Sequence, residues 1–138
     1  MNLAELQALL PFEIMTVTIV AVMLGIAIKR DHRAAALIML LGMTLALVCL
    51  IPGLLHADAP VVWVTRLLVI DDLGRIGMML VLITTLGILA LCFPYFEGYP
   101  SNREEVYLLI GVGTLGALTL SCAQHAATLL LGLELLSL

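Results

Sequence analysis

Residues 107–138, YLLIGVGTLGALTLSCAQHAATLLLGLELLSL, form an almost uninterrupted apolar run that decides how this chain folds. A helix that crosses a membrane once needs only about 20 residues, so a run of this length has to turn back. Its only polar interruption is the segment SCAQH at 121–125. We therefore predict a tight turn there, with one membrane span over 107–122 and another over 126–138.

The other apolar runs continue the same pattern towards the N-terminus. Residues 9–28, 34–55 and 76–93 are each long and apolar enough to predict a membrane span. The composition agrees, because 63% of the residues are hydrophobic and only 12% are charged. We predict an all-α fold, a polytopic transmembrane helix bundle that forms a single membrane domain over residues 1–138. Because the last span is cut off at 138, we interpret the chain as the N-terminal part of a longer subunit.

The segment between the second and third spans has a different character. Residues 60–70, PVVWVTRLLVI, are rich in β-branched side chains and too few to cross a membrane as a helix. We predict a short extended, strand-like structure there, at the membrane surface. Asp71 and Asp72 follow, and a side-chain oxygen in such a position satisfies the free amides at the start of a helix. We therefore expect the third helix to begin there.

The basic residues lie mainly on one side of the predicted bundle. Four of the six follow the first or the third span, and these are Lys29, Arg30, Arg33 and Arg103. Cytoplasmic loops are rich in lysine and arginine. We therefore predict that these two loops are cytoplasmic and that the N-terminus, the extended segment and the 121–125 turn lie outside.

Small side chains recur at helical spacing within four of the spans. In lipid such stripes let helix backbones approach closely. The stripes are Thr18, Ala21 and Gly25; Gly42, Ala46, Cys49 and Gly53; Gly77, Thr84 and Gly87; and Gly113, Ala117 and Ser121. We interpret them as contact faces of a packed bundle, and the alternative is that they line a narrow cavity.

Glu134 is the main candidate for a functional site, because it is the single carboxylate in the apolar run after the predicted turn. Its distance from His125, about 13 Å along a helix, places it near the bilayer centre. An ionised carboxylate costs several kcal/mol there, and intramembrane acids usually serve a function. We predict a proton-transfer group; the alternative is an acid held by a neighbouring helix for structural reasons. All basic residues lie in loops or at span ends, so its cationic partner has to come from elsewhere.

His125 and Ser137 are possible secondary members of this site. Rotation by 100° per residue places His125 on the opposite side of the helix from Glu134, whereas Ser137 shares its side. We expect His125 to be an interfacial residue and the Ser137 hydroxyl to bond back to a helical carbonyl. Glu13, the other acid within a span, is expected to reach water from near that span's start. Without a Cys/His cluster or a basic patch, the sequence predicts neither a metal site nor nucleic-acid binding.

Several stretches together resemble the antiporter-like subunits of respiratory complex I. Residues 132–138, GLELLSL, preceded by QHAATLLL, resemble the fifth transmembrane helix of those subunits. Residues 97–99, EGY, and 103–109, REEVYLL, are similar to the segment that enters the fourth helix, and 68–72, LVIDD, to the extended piece before the third. The chain looks most like subunit N, the bacterial counterpart of mitochondrial ND two, and covers its N-terminal part.

The resemblance implies a multi-pass membrane-arm subunit of a proton-pumping NADH:quinone oxidoreductase in the bacterial inner membrane. Glu134 matches the family's helix-five glutamate, which pairs with a lysine on the seventh helix, beyond the end of this chain. The resemblance also implies that this chain holds no cofactor, because NADH, FMN, the iron–sulfur clusters and quinone belong to partner subunits. The chain would then contribute to catalysis only as part of a translocase, with no redox chemistry of its own.

Other functions remain open from the sequence. A subunit of a multisubunit cation/proton antiporter or of a membrane-bound hydrogenase shares the same helix-five pattern. A small multidrug/proton antiporter would instead depend on Glu13, although a fifth span and an extended segment have no place in that fold. A structural or assembly protein of the membrane is the fourth possibility, and in it Glu134 would be dispensable.

Overall fold

The structure, a computed structural model, is a bundle of α-helices with one small antiparallel sheet. It describes residues 3–55, 62–65, 68–97 and 103–137. Within these residues the elements are α1 (Leu3–Ile28), α2 (His32–Leu55), β1 (Val62–Thr65), β2 (Leu68–Ile70), α3 (Asp72–Glu97), α4 (Glu104–Ser121) and α5 (Ala126–Leu136). By length and composition α1 to α4 are able to cross a membrane, and α5 is a shorter apolar helix. The predicted all-α fold is confirmed.

The first helix begins earlier than the sequence indicated. α1 starts at Leu3 rather than at residue 9, and Pro11 lies inside it. Membrane helices tolerate such a proline because neighbouring groups satisfy the backbone carbonyl that it leaves free. Glu13 is exposed on this helix, about 15 Å from its first residue. It therefore lies deeper in the helix than predicted.

The third helix continues past Pro94. This proline directly follows the span predicted over 76–93 and was expected to end it, because proline interrupts helical hydrogen bonding. α3 ends only at Glu97, so this expectation is wrong. A proline within the last turn removes one hydrogen bond, and the turn survives if its free carbonyls find other donors. Arg103 supplies them, because its guanidinium donates to the backbone oxygens of Phe96 and, at 3.2 Å, of Glu97.

Helix α4 lies at the centre of the bundle. It contacts α1, α2 and α3 on one side and α5 on the other, while α1 packs on α2 and α2 on α3. Methionine and leucine are the commonest of the buried hydrophobic side chains, and Tyr107 is the largest of the fully buried ones. The position of α5 therefore depends chiefly on its contact with α4.

Helices α1 and α2 approach each other closely where Gly42 meets Thr18. A Cβ on Gly42 would overlap the Thr18 side chain, whose own Cβ lies 2.7 Å from the position it would occupy. Both residues belong to the predicted small-residue stripes, so packing explains these positions. Gly87 and Gly113 come from the same stripes, yet no described atom lies within 4 Å of a Cβ added to either. Within the described residues, the predicted close packing is therefore not observed at those two glycines.

The two strands pair in antiparallel fashion and are attached to the turn between α4 and α5. Val62 pairs with Ile70 and Trp63 with Val69, and the register is irregular between Trp63 and Thr65. The Val69 amide donates to the Cys122 carbonyl at 3.1 Å, next to a bridge from Leu68 to Ala123. The predicted extended segment is thus confirmed for the described part of 60–70; residues 60, 61, 66 and 67 lie outside the described residues.

Asp71 begins α3 as predicted. Its Oδ1 accepts a hydrogen bond of 2.7 Å from the Gly74 amide, which is the geometry of a helix N-cap. The cap holds the start of α3 directly beside β2 and the α4–α5 turn.

Candidate functional site on helix α5

The start of α5 is organised by His125. This residue has extended backbone angles, and its Nδ1 accepts a hydrogen bond of 3.3 Å from the Ala127 amide. His125 therefore caps the helix at the exposed turn.

The path of α5 across the bundle is set by a close crossing with α4 at two glycines. A Cβ on Gly116 would lie 2.9 Å from the Gly132 carbonyl oxygen and 2.8 Å from the Leu135 Cβ. A Cβ on Gly132 would lie 3.1 Å from the Gly116 carbonyl oxygen and 2.8 Å from a methyl group of Leu120. The two backbones thus touch directly, and neither glycine belongs to the small-residue stripes that were predicted as contact faces. The sequence feature that could have indicated a contact at Gly132 is its position one turn before Leu135 and Leu136, on the side of α5 opposite Glu134.

Glu134 lies on the side of α5 that faces away from α4. It follows Gly132 by two residues, a rotation of about 200°, and its side chain is exposed. Leu130 and Leu131, one turn earlier, share this side and are exposed as well. Among the described residues, no group forms an ion pair or hydrogen bond with the Glu134 carboxylate. A carboxylate in such apolar surroundings needs a partner or water to remain ionised.

Ser137 is placed as the sequence indicated. Its hydroxyl donates to the Glu134 carbonyl oxygen at 3.1 Å, and its amide donates to the same oxygen at 3.2 Å. The hydroxyl therefore completes the last turn of α5 and is occupied by the backbone.

Arg75 is a buried charge that the sequence analysis treated as an ordinary span-end residue. It is only 7% exposed, and it forms an ion pair of 2.8 Å with Asp72, one turn earlier on α3. Its side chain passes within 3.5 Å of the position of a Gly53 Cβ, so it fills the space between the ends of α2 and α3. The i,i+3 spacing of an acid and an arginine was the signal that could have indicated this pair.

Cys122, at the turn between α4 and α5, lies in the same region. Burial and, to a smaller extent, the Asp71 carboxylate raise the pKa of the Cys122 thiol to about 12, and the Arg75 charge opposes them. The thiol is therefore held neutral, in contact distance of Gly74.

The opposite end of the bundle carries the ion pairs between loops. Arg33 contacts Glu97 at 2.8 Å and Arg30 contacts Glu105 at 3.6 Å, and all four side chains are largely exposed. Exposed pairs of this kind add little stability. They show, however, that the α1–α2 connection and the ends of α3 and α4 meet at one end of the bundle, the end with four of the six basic residues.

These features define a polytopic α-helical membrane protein with a carboxylate exposed on the apolar surface of its fifth helix. No protein-family model matches the sequence. The structure is similar to a chain of respiratory complex I from Thermus thermophilus, solved with bound aureothin, with a TM-score of 0.73 and 27% sequence identity. The match covers 93% of this chain and 27% of that chain. The chain therefore has the fold of a membrane subunit of complex I and spans about a quarter of the length of the subunit that it matches.

Proposed function

We propose that this chain is the N-terminal part of an antiporter-like, N-type subunit of a proton-pumping NADH:quinone oxidoreductase, in which Glu134 transfers protons. The observation that carries the proposal is the position of Glu134, exposed between leucines on α5 and without a partner among the described residues. The similarity to a chain of complex I over 93% of the length supports the assignment to that complex.

The geometry suggests how Glu134 acts. The glycine crossing holds α5 rigidly on α4 and turns the carboxylate towards the side that the described helices leave open. A lysine from a later helix, placed on that side, would stabilise the ionised carboxylate through charge–charge attraction. Withdrawal of the lysine would favour the protonated form, so a moving cation would make Glu134 load and release a proton.

The same proposal assigns the remaining partners. NADH, FMN, the iron–sulfur clusters and quinone would be bound by other subunits of the complex. The end of the bundle with Arg30, Arg33 and Arg103 would face the cytoplasm of a bacterial cell, and the N-terminus would face the periplasm.

Replacement of Glu134 by glutamine in the complete complex tests the proposal. The amide keeps the size of the side chain but cannot exchange a proton, so we expect normal assembly with proton pumping reduced at least about tenfold. Pumping is measured as quenching of a pH-sensitive dye in membrane vesicles, per assembled complex. Glu13→Gln is the matched control, because Glu13 is also an exposed acid on an apolar helix.

Other outcomes would point to the other candidates. Normal pumping by Glu134→Gln would contradict the proton-transfer role. Co-purification with antiporter or hydrogenase subunits, without NADH oxidation, would assign the chain to one of those complexes. Loss of drug resistance in Glu13→Gln alone would assign it to the multidrug antiporters.

A further inference from the structure

His32, the first residue of α2, lies in a buried aromatic cluster at the end of the bundle that carries the loop ion pairs. The residue is only 8% exposed. Its ring stacks on Phe93 of α3 with 5.5 Å between centroids and an interplanar angle of 13°. Tyr107 of α4 also lies next to this ring, with centroids 5.3 Å apart and a tilt of 44°. Three helices therefore meet around one imidazole.

Three polar atoms of this cluster are buried without a partner among the described residues. They are both ring nitrogens of His32 and the hydroxyl oxygen of Tyr107, and Tyr107 as a whole is 0% exposed. Roughly nine in ten buried polar groups in proteins form a hydrogen bond, so three unpartnered ones at a single place call for an explanation.

The nearby charges do not satisfy these atoms. Arg33 is directed at Glu97, Arg30 at Glu105, and Arg103 at the last carbonyls of α3. The ionic groups of this end are thus used to join the loops to each other. The polar atoms of His32 and Tyr107 are left without a partner among the described residues.

The chemistry of the two side chains restricts that ligand. A neutral imidazole offers one donor and one acceptor, and a phenol offers one of each, so the ligand has to donate and accept. Stacking on Phe93 covers the ring face and leaves only the ring edge for binding. A metal ion is disfavoured, because no cluster of three or more His, Cys, Asp or Glu exists within the described residues. Water is a small neutral molecule that both donates and accepts hydrogen bonds.

We propose that His32 and Tyr107 form a binding site for an internal water molecule that joins α2 to α4. Internal waters typically form about three hydrogen bonds to buried polar groups. One water between the imidazole edge and the phenol would give the Tyr107 hydroxyl and one ring nitrogen of His32 the partner that the described residues do not supply. The site is independent of Glu134, which lies on α5 and does not contact this cluster.

Hydroxyl-radical labelling by X-ray radiolysis tests this site on the complete protein in lipid nanodiscs. Radicals generated from a bound water label the side chain next to it even when that side chain is buried. We expect labelling of Tyr107, reduced to background in His32→Phe, which keeps the ring that stacks on Phe93. Tyr95, 64% exposed, is the positive control in both proteins. Absence of Tyr107 labelling while Tyr95 is labelled would overturn the proposal.

A double-mutant cycle provides a second measurement that does not depend on labelling. If water bridges the two side chains, Tyr107→Phe lowers Tm in the native background but has little further effect in His32→Phe. If the hydroxyl has no partner at all, its removal leaves Tm unchanged or raises it, because an unsatisfied buried group is then relieved. An unchanged or higher Tm of Tyr107→Phe would contradict the proposed site.

Discussion

Gly116→Ala is predicted to be among the most damaging conservative changes in this chain. The added Cβ would lie 2.8 Å from the Leu135 Cβ, 2.9 Å from the Gly132 carbonyl oxygen and 3.0 Å from the Leu136 amide nitrogen. None of these atoms moves by a simple side-chain rotation, so α5 as a whole has to shift away from α4. Overpacking of this kind costs about 1–3 kcal/mol, and we expect the upper part of that range because the contacts involve backbone.

Gly113→Ala is the matched control on the same helix. No described atom lies within 4 Å of its added Cβ, and alanine favours a helix over glycine by up to about 1 kcal/mol. Gly113→Ala should therefore be neutral or stabilising. Unfolding of the complete protein in detergent, followed by circular dichroism against temperature, measures both. Equal stability of the two variants would refute the close crossing.

The crossing also links packing to the proposed function. A shift of α5 moves Glu134 relative to helices on its open side, so Gly116→Ala should lower proton pumping even in assembled complexes. Gly132→Ala should have a smaller effect, about 1 kcal/mol, because its shortest contact is a Leu120 methyl group that is able to rotate. Normal pumping in an assembled Gly116→Ala complex would show that the position of α5 is not critical.

Two further predictions concern other parts of the bundle. Gly42→Ala should destabilise the α1–α2 contact by about 2 kcal/mol. Adding Thr18→Ala to this variant should restore part of the lost stability, because it removes the side-chain atoms that the new methyl group overlaps. A double variant no more stable than Gly42→Ala would contradict this geometry. For Cys122, with its pKa raised to about 12, maleimide labelling of the folded protein should be far slower than in the SDS-unfolded chain at pH 8, since the thiolate is the reactive form. Equal labelling rates of the folded and unfolded chain would contradict the burial of Cys122. Because the thiol loses its proton at lower pH in the unfolded chain than in the folded protein, the free energy of unfolding should fall as the pH rises above about 9.

The candidate site was predictable only in part. The backbone bond of Ser137 follows from helical geometry along a single element. The depth of Glu134 in the bilayer stays a prediction. The side of α5 on which Glu134 lies was not predictable, because it depends on which face of α5 packs against α4. The burial of Arg75 was not predicted, since a sequence shows the spacing to Asp72 but not the neighbouring end of α2 that covers the arginine.

The sequence by itself determined the number and approximate extent of the helices, the turn at 121–125 and the start of α3 at Asp71. These features depend on local hydropathy and on the chemistry of a few adjacent residues, which any stretch of chain carries with it. Only the tertiary structure decided which small residues are in contact. Gly113 and Gly116 are three residues apart on one helix, yet only Gly116 meets a neighbouring backbone. Helical spacing shows which residues share a face of a helix, but the packing of the whole bundle decides which neighbour that face contacts. The same packing decides that Glu134 lies on the side of α5 away from α4.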